Sequence, residues 1–366
     1  EPMILEMPDF DSKYVSLMVT GYDHYVNVPM STGQGDFDEP ETMLLFTERT
    51  RAYDGQSVSG VDRVFEATGD FISVVLRIMP HSRDTERFER IKQQMQATRL
   101  RSLSEFLGAE PQPTTEAKHP PVGQTDVDVF ADNLLPVMQF VFNHTTFDPE
   151  DPLDQALLAL YEPLGITPGQ VFDAERVAAL DGGRLRSTAD EVQRSEFTRA
   201  MNPATMQEAG KFMFQPKGQI PLEVLVMQSV TGPIGLPQQE AMYFPVVEAG
   251  GQTLNAQFDY VIRMDPAQMP PAGPFWSMTL YDSANGFFIP NERKKYSVGE
   301  NAGMLLNAAG GIDVYVAAEA PEGVPPENWL PIIRRDEDID VILRIYVPDL
   351  QAVTSWSPPV AQRLSE

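Results

Sequence analysis

Six short runs of aliphatic, β-branched and aromatic residues follow one another through the second half of the chain, with no helical pattern between them. Strands this close together pair as antiparallel neighbours, because a parallel pair needs a long crossover connection. The pattern therefore predicts an antiparallel sandwich or barrel. The predicted strands cover residues 223–228, 241–247, 258–264, 275–281, 312–317 and 340–346. The turn signals between them include Gly250-Gly251, Asn285-Gly286 and Gly310-Gly311.

The first half of the chain opens with strands and continues with helices. Strand patterns cover residues 14–20, 42–47 and 71–79. Asp84 is the expected N-cap of the first helix, and Pro136 is expected to kink the second. A linker rich in proline and threonine lies at residues 109–124, between the first two helices. The predicted helices cover residues 84–108, 127–143, 151–164 and 188–201.

Charge and composition exclude several classes of partner. The 366 residues include 53 acidic and 27 basic ones, for a formal net charge of -26. A chain this acidic repels phosphate backbones and anionic lipids, so we predict no nucleic-acid partner. No apolar stretch approaches the ~18–20 residues of a spanning helix, so we predict no membrane span. Cysteine is absent, which excludes disulfides and thiolate chemistry.

The known catalytic and cofactor motifs are missing. The four histidines lie at no spacing that places two of them on one helix or strand face. The acidic run at residues 336–340 lacks the glycine and the final glutamate of a calcium-binding loop, so we interpret it as a solvated turn. No nucleophile elbow, phosphate-binding loop or dinucleotide fingerprint is present. The sequence predicts no metal site and no cofactor.

Two arginines interrupt otherwise apolar strands. Arg344 lies in the last predicted strand, and Arg77 lies in the third strand of the first half. Arginine stays charged, so burying it without a partner costs several kcal/mol. Two interpretations stay open. Each arginine forms a structural ion pair, for Arg344 with Asp282 or Asp340, or it holds an anion in a pocket.

The strand at residues 275–281 has two different faces, because side chains alternate along a strand. Phe275, Ser277, Thr279 and Tyr281 face one way, and Trp276, Met278 and Leu280 face the other. Tryptophan is more typical of a core than of a ligand surface. We therefore expect Trp276, Trp329 and Tyr346 to be mostly buried.

Six short blocks follow one another in the second half. They are Met269-Pro270-Pro271, residues 275–282, Asn291, residues 295–299, residues 328–331 and residues 343–348. In this order they resemble the signature of the domain of unknown function 1214, over about residues 222–360. Lys295 departs from that pattern, because arginine more commonly precedes the tyrosine there. The lysine keeps the positive charge but not the bidentate geometry of arginine.

The first half is similar to the usual companion of that domain, the domain of unknown function 1254. The similar segments are residues 5–9 leading into Lys13-Tyr14, Arg77-Ile78 followed by Gln93-Gln94, and residues 164–169 followed by Phe172-Asp173. Together the two resemblances imply a mainly β fold with inserted helices. They imply two jelly-roll-like antiparallel β-sandwich domains, at residues 1–214 and 215–366.

The resemblances also imply a bacterial, exported protein that self-associates. The chain starts at Glu1-Pro2 rather than at methionine, which we interpret as a processed N-terminus. We expect a periplasmic or secreted location, with the cytoplasm as the alternative.

The resemblance brings no characterised reaction. We expect a binding or assembly protein that forms a homo-oligomer, a trimer or a larger shell. The alternative is an enzyme that acts on a small organic molecule in a pocket lined by arginine and tyrosines, and a purely structural scaffold is the third reading. The candidate pocket residues are Tyr14, Arg77, Trp276, Tyr281, Arg344 and Tyr346.

Overall fold

Two sheets pack face to face at the N-terminal end of the computed structural model, which describes residues 1–51, 53–113, 116–123, 128–176 and 180–364. Their strands are β1 (Met3–Met7), β2 (Val15–Gly21), β3 (Val26–Ser31), β4 (Glu41–Phe46), β5 (Arg63–Glu66), β6 (Ile72–Ile78) and β7 (Arg99–Ser102). One sheet has the order β5-β4-β1-β7 and the other β3-β2-β6, and β4 with β5 is the one parallel pair among them. Alternate side chains such as Leu5, Leu17 and Met43 fill the space between the sheets.

A second sandwich forms from the strands that follow the helices. These are β8 (Ala241–Val246), β9 (Glu248–Ala249), β10 (Gln252–Thr253), β11 (Tyr260–Met264), β12 (Ala272–Asp282), β13 (Ser297–Gly299), β14 (Ile312–Ala317), β15 (Trp329–Pro331), β16 (Ile339–Pro348) and β17 (Ala361–Arg363). The β13-β12-β16-β8 sheet packs against the β15-β14-β11-β17 sheet, mostly with antiparallel pairing. Trp276, Ile262 and Leu343 lie in its core. The predicted fold class, mainly β with inserted helices, is confirmed.

Nine α-helices lie in the described part of the chain. They are α1 (Thr85–Ala97), α2 (Leu103–Phe106), α3 (Asp128–Asp132), α4 (Leu134–Asn143), α5 (Pro152–Tyr161), α6 (Gly182–Ala200), α7 (Pro203–Gly210), α8 (Leu222–Thr231) and α9 (Leu350–Val353). Asp84 caps α1 as predicted, because its side chain accepts a hydrogen bond from the Arg87 amide.

Three predicted elements differ from the structure. The helix predicted at 84–108 is α1 and α2 with the strand β7 between them, and β7 pairs with β1. The strand predicted at 223–228 is the helix α8, which buries Val224, Met227 and Gln228 at helical spacing. A short apolar run alone does not distinguish a strand from a buried helix. The helix predicted at 127–143 is two helices, and its first residue, Val127, lies outside the described residues. Pro136 stands in the first turn of α4, where its missing N–H needs no partner.

The two sandwiches meet through the outer face of the β3-β2-β6 sheet. Part of that face, including Met18 and Val26, packs against α6, α7 and α8. Another part holds Tyr14, whose ring centroid lies 5.7 Å from that of Phe275 and 5.3 Å from that of Tyr346. The domain boundary at residues 214 and 215 stays a prediction.

Glu240 links the two sandwiches by hydrogen bonds. It lies just before β8 and is 4% exposed. Its carboxylate accepts hydrogen bonds from Ser31 Oγ at 2.6 Å, from Gln34 Nε2 at 3.2 Å and from the Tyr14 hydroxyl at 3.3 Å. All three donors belong to the N-terminal part of the chain, so one buried carboxylate fixes the position of the second sandwich against the first.

Replacing Glu240 by alanine tests this link. Glu240→Ala leaves the buried hydroxyls of Tyr14 and Ser31 without their acceptor, and we expect the free energy of unfolding to fall by about 2–4 kcal/mol. Urea denaturation measures it. Glu319→Ala, at an exposed position, serves as the control and should change stability by less than about 0.5 kcal/mol. Equal effects of the two substitutions would contradict the assignment.

Candidate functional site

The outer face of the β13-β12-β16-β8 sheet, on the side of Tyr14, carries polar and aromatic side chains. This follows from the alternation predicted for the strand at 275–281, because Trp276 and its alternates occupy the core face. The register pairs Ser277 with Arg344 and Arg344 with Tyr243, so these three residues form one row across the sheet. Phe275, Tyr346 and Ala241 form the row beside it.

A cavity of about 470 Å³ lies over this face, and we call it the basic cavity. Its basic lining residues are Arg344, Lys294 and Lys295, and none of the described residues that line it is acidic. The other lining residues are Ser277, Thr279, Tyr281, Phe288, Tyr296, Ser297, Asn301, Ala302 and Tyr346.

Arg344 is held by aromatic groups rather than by a carboxylate. Its Nη2 donates to the Tyr281 hydroxyl at 2.7 Å. Its guanidinium carbon lies 5.8 Å from the Tyr243 ring centroid and 5.5 Å from that of Tyr281. Within the described residues Arg344 forms no ion pair, so the expected pairing with Asp282 or Asp340 is wrong. Asp340 lies four residues along the same strand, roughly 13 Å away, and Asp282 alternates to the other face.

Lys295 is positioned by Asn291. The Asn291 side chain donates to the Lys295 carbonyl at 2.8 Å and accepts from its amide at 3.1 Å, which closes the turn that leads into β13. Lys295 Nζ donates to the Ser297 carbonyl at 3.1 Å. Burial lowers the pKa of Lys295, and the nearby charge of Glu327 opposes this effect.

The facing sheet of the first sandwich contributes a further partly buried cation. Ser16 and Arg77 are paired across β2 and β6. Arg77 Nη1 is buried and forms no hydrogen bond with any described residue, whereas the Ser16 hydroxyl lies beside the Tyr14 side chain and opposes the rise in the pKa of that tyrosine. Buried polar groups are nearly always satisfied, so the unpaired Arg77 nitrogen calls for an explanation.

The charges of Arg344 and Arg77 both act on the same two tyrosines, Tyr346 and Tyr243. Burial raises the pKa of Tyr346, and the positive charges of Arg344 and Arg77 both oppose that rise. The pKa of Tyr243 is likewise raised by burial and opposed by Arg77 and Arg344. Burial also raises the pKa of Tyr14. Arg77 does not line the basic cavity, but its charge acts on the same tyrosines as that of Arg344.

The six residues predicted from the sequence therefore fall into three groups. Arg344, Tyr346 and Tyr281 line the basic cavity. Tyr14 and Arg77 approach from the first sandwich, Tyr14 by ring contact and Arg77 by its charge. Trp276 is 3% exposed and packs in the core of the second sandwich, on the opposite face of β12. Its position follows from the alternation of the strand.

Sequence reasoning missed Lys295, Tyr243 and Ser16 as members of the site. The sequence did contain a signal for Lys295, because a basic residue before Tyr296 belongs to the block at residues 295–299. Tyr243 had one as well, since it sits where the resembled domain places a tyrosine. Ser16 had none, because its relation to Arg77 depends on how separate strands pair.

Neither a metal site nor a membrane helix is found in the part of the chain that the structure describes. No group of three or more histidine, aspartate or glutamate side chains there is arranged to hold a metal ion. No helix in that part is long and apolar enough to cross a membrane.

Comparisons with known proteins agree with this picture for the fold. Residues 240–350 match the family described as "Protein of unknown function (DUF1214)", which confirms the resemblance of the second half. The resemblance of the first half to the domain of unknown function 1254 stays a prediction. No curated protein matches the chain.

Two solved structures are similar to this chain. The VPA0106 protein from Vibrio parahaemolyticus is 21% identical, with 100% of this chain and 86% of that chain covered and a TM-score of 0.72. A putative uncharacterized protein from Burkholderia cenocepacia is 13% identical, with 99% of this chain and 72% of that chain covered and a TM-score of 0.42. The likeness to the Vibrio parahaemolyticus protein concerns the fold alone.

Proposed function

We propose that the protein binds a small organic carboxylate in the basic cavity. The observation that carries the proposal is that Arg344, Arg77 and Lys295 gather around one group of tyrosines without an ion pair among the described residues. The chain has 53 acidic residues against 27 basic ones, so carboxylate partners are abundant in its composition. Their absence from this site favours a ligand that supplies the negative charge.

The energetics support an anionic ligand. An arginine removed from water cannot neutralise itself by losing its proton, and an unpaired buried charge costs several kcal/mol. Aromatic faces and one tyrosine hydroxyl recover part of that cost for Arg344. A ligand carboxylate would recover more, because charge-assisted hydrogen bonds are about twice as strong as neutral ones.

The shape and lining of the cavity favour a small carboxylate over a larger anion. The volume of about 470 Å³ lies within the range of about 300–1,000 Å³ that is typical of small-molecule sites. A planar carboxylate matches the fork of a guanidinium, and the hydroxyls of Ser277 and Thr279 provide further donors beside it.

Lys295 favours a second candidate, an enzyme that acts on a carbonyl compound. A lysine with a lowered pKa exposes a larger fraction of neutral amine at pH 7, and such amines attack ketones and aldehydes. The nitrogen would bond to the carbonyl carbon, the oxygen would leave as water with one proton from the amine and one from solvent, and an iminium would remain. The self-association and export that the resemblance implies stay predictions.

Substitution of Arg344 tests the carboxylate site. Calorimetry measures the binding of acetate, pyruvate, benzoate and succinate. We expect Arg344→Met to weaken their binding by at least about tenfold, because a charge-assisted hydrogen bond is lost. Arg344→Lys should be intermediate, since it keeps the charge but not the fork. Arg335→Met, at an exposed position, is the control. The proposal fails if the unmodified protein binds none of these acids at millimolar concentration, or prefers inorganic phosphate.

Substitution of Arg77 should change stability and binding in opposite directions. Without ligand, Arg77→Met removes a partly buried charge that has no partner, so we expect the free energy of unfolding to rise by about 1 kcal/mol. The same substitution should weaken carboxylate binding. Urea denaturation and calorimetry on one preparation measure both, and Arg99→Met, on an exposed strand position, is the control. A loss of stability in Arg77→Met would show that the residue is structural.

The second candidate predicts selective labelling of Lys295. Pyruvate supplies the carbonyl group, and cyanoborohydride reduces any iminium that forms to a stable amine. Peptide mass spectrometry then identifies the modified lysine. At pH 7 we expect Lys295 to be labelled ahead of the exposed Lys294, because its lowered pKa leaves more of it neutral. Equal labelling at pH 7 would dispose of this candidate.

A further inference from the structure

A second cavity lies on the other side of β8, and we call it the methionine cavity. Its volume is about 530 Å³, and it is bounded by α6, α7, β8 and the segment at residues 358–360. Met201, Met206, Met213 and Met242 line it together with Phe214 and Leu236. Methionine is unbranched and flexible, so a wall of this kind adapts to apolar molecules of different shapes.

The two cavities adjoin each other through paired positions of β8 and β16. Arg344 and Tyr346 line the basic cavity, and their register partners Tyr243 and Ala241 line the methionine cavity. Directly paired residues on neighbouring antiparallel strands have Cα atoms only about 4.5–5.5 Å apart. Residues that line the basic cavity therefore stand one strand-to-strand distance from residues that line the methionine cavity.

Tyr243 stands at the boundary and contacts both sides. Its ring centroid lies 5.8 Å from the guanidinium carbon of Arg344 and 6.3 Å from the ring centroid of Phe214. Its hydroxyl accepts a hydrogen bond from the Leu236 amide at 3.1 Å, which fixes the orientation of the ring. An aromatic ring in this position offers an apolar surface for a chain that leaves the cations.

We propose that the ligand is an amphipathic monocarboxylate, such as a medium-chain alkanoate, an inference that rests on the proposed function. The carboxylate pairs with Arg344 and Lys295 in the basic cavity. The hydrocarbon chain passes over Tyr243 and fills the methionine cavity. Both halves follow from complementarity, since the described cations of one cavity form no ion pair and the other cavity has a largely apolar lining with one charged residue, Glu248.

Chain length is the variable that tests this inference. Calorimetry with acetate, butanoate, hexanoate and octanoate, below their aggregation limits, should show affinity rising by about threefold to fourfold per methylene group. Octanol, which has the chain without the charge, should bind far more weakly than octanoate. Equal binding of octanol and octanoate would show that the methionine cavity acts alone and would overturn the inference.

Gly210 provides a way to fill the methionine cavity without disturbing the fold. It lines that cavity, and a Cβ atom added to it meets no atom within 4 Å. Gly210→Phe should therefore reduce octanoate affinity at least about tenfold and leave acetate affinity unchanged. Gly210→Ala, which adds only a methyl group, is the matched control and should retain octanoate binding.

The outcomes separate this inference from the function that it rests on. If acetate and butanoate bind through Arg344 but affinity stays flat with chain length, the proposed function stands and the amphipathic ligand is wrong. Unchanged octanoate binding in Gly210→Phe leads to the same conclusion. If no carboxylate of any length binds, both proposals fail together.

Discussion

The arrangement of the candidate site depends on the contact between the polar outer face of β12 and β16 and the outer face of β2. A sheet face normally either packs in a core or meets water, and this one does neither completely. Tyr14, Phe275 and Tyr346 close one part of it by ring contacts, and the rest stays open as the basic cavity. The two sandwiches contribute differently, because the described residues that line the basic cavity all belong to the second sandwich, while the first supplies Tyr14 and the charge of Arg77 beside it.

The site also shows how a cation can be kept without a carboxylate. Around Arg344 the structure places tyrosine rings, one hydroxyl and neighbouring serine and threonine side chains, all of which tolerate a positive charge without cancelling it. The positive potential that remains around Arg344 can attract an anionic ligand. In a chain with net charge -26 the surface as a whole repels anions, so an anionic ligand needs a local positive potential of this kind in order to bind.

Sequence patterns predicted those parts of the molecule that depend on local periodicity. Alternation along the strand at 275–281 separated Trp276 from Tyr281, and an arginine within an apolar strand identified Arg344. Pairing between distant strands was beyond such reasoning, so the roles of Tyr243 and Ser16 did not emerge. The helix α8 was mistaken for a strand because its apolar run is short. The ion pair expected for Arg344 is not formed. The cost of burying a charge predicts that the arginine needs a partner, but it does not predict that the chain itself provides a carboxylate.

The hydrogen bonds of Glu240 have a consequence for modularity. The matched family segment begins at Glu240 itself, and the donors to that carboxylate all come from residues 14–34. A polypeptide that carried only this segment would therefore present a carboxylate and a group of aromatic rings to solvent at the place where the partner sandwich now lies. An exposed surface of this kind would favour aggregation. Recombination that separated the two halves would thus be selected against unless another domain supplied equivalent donors.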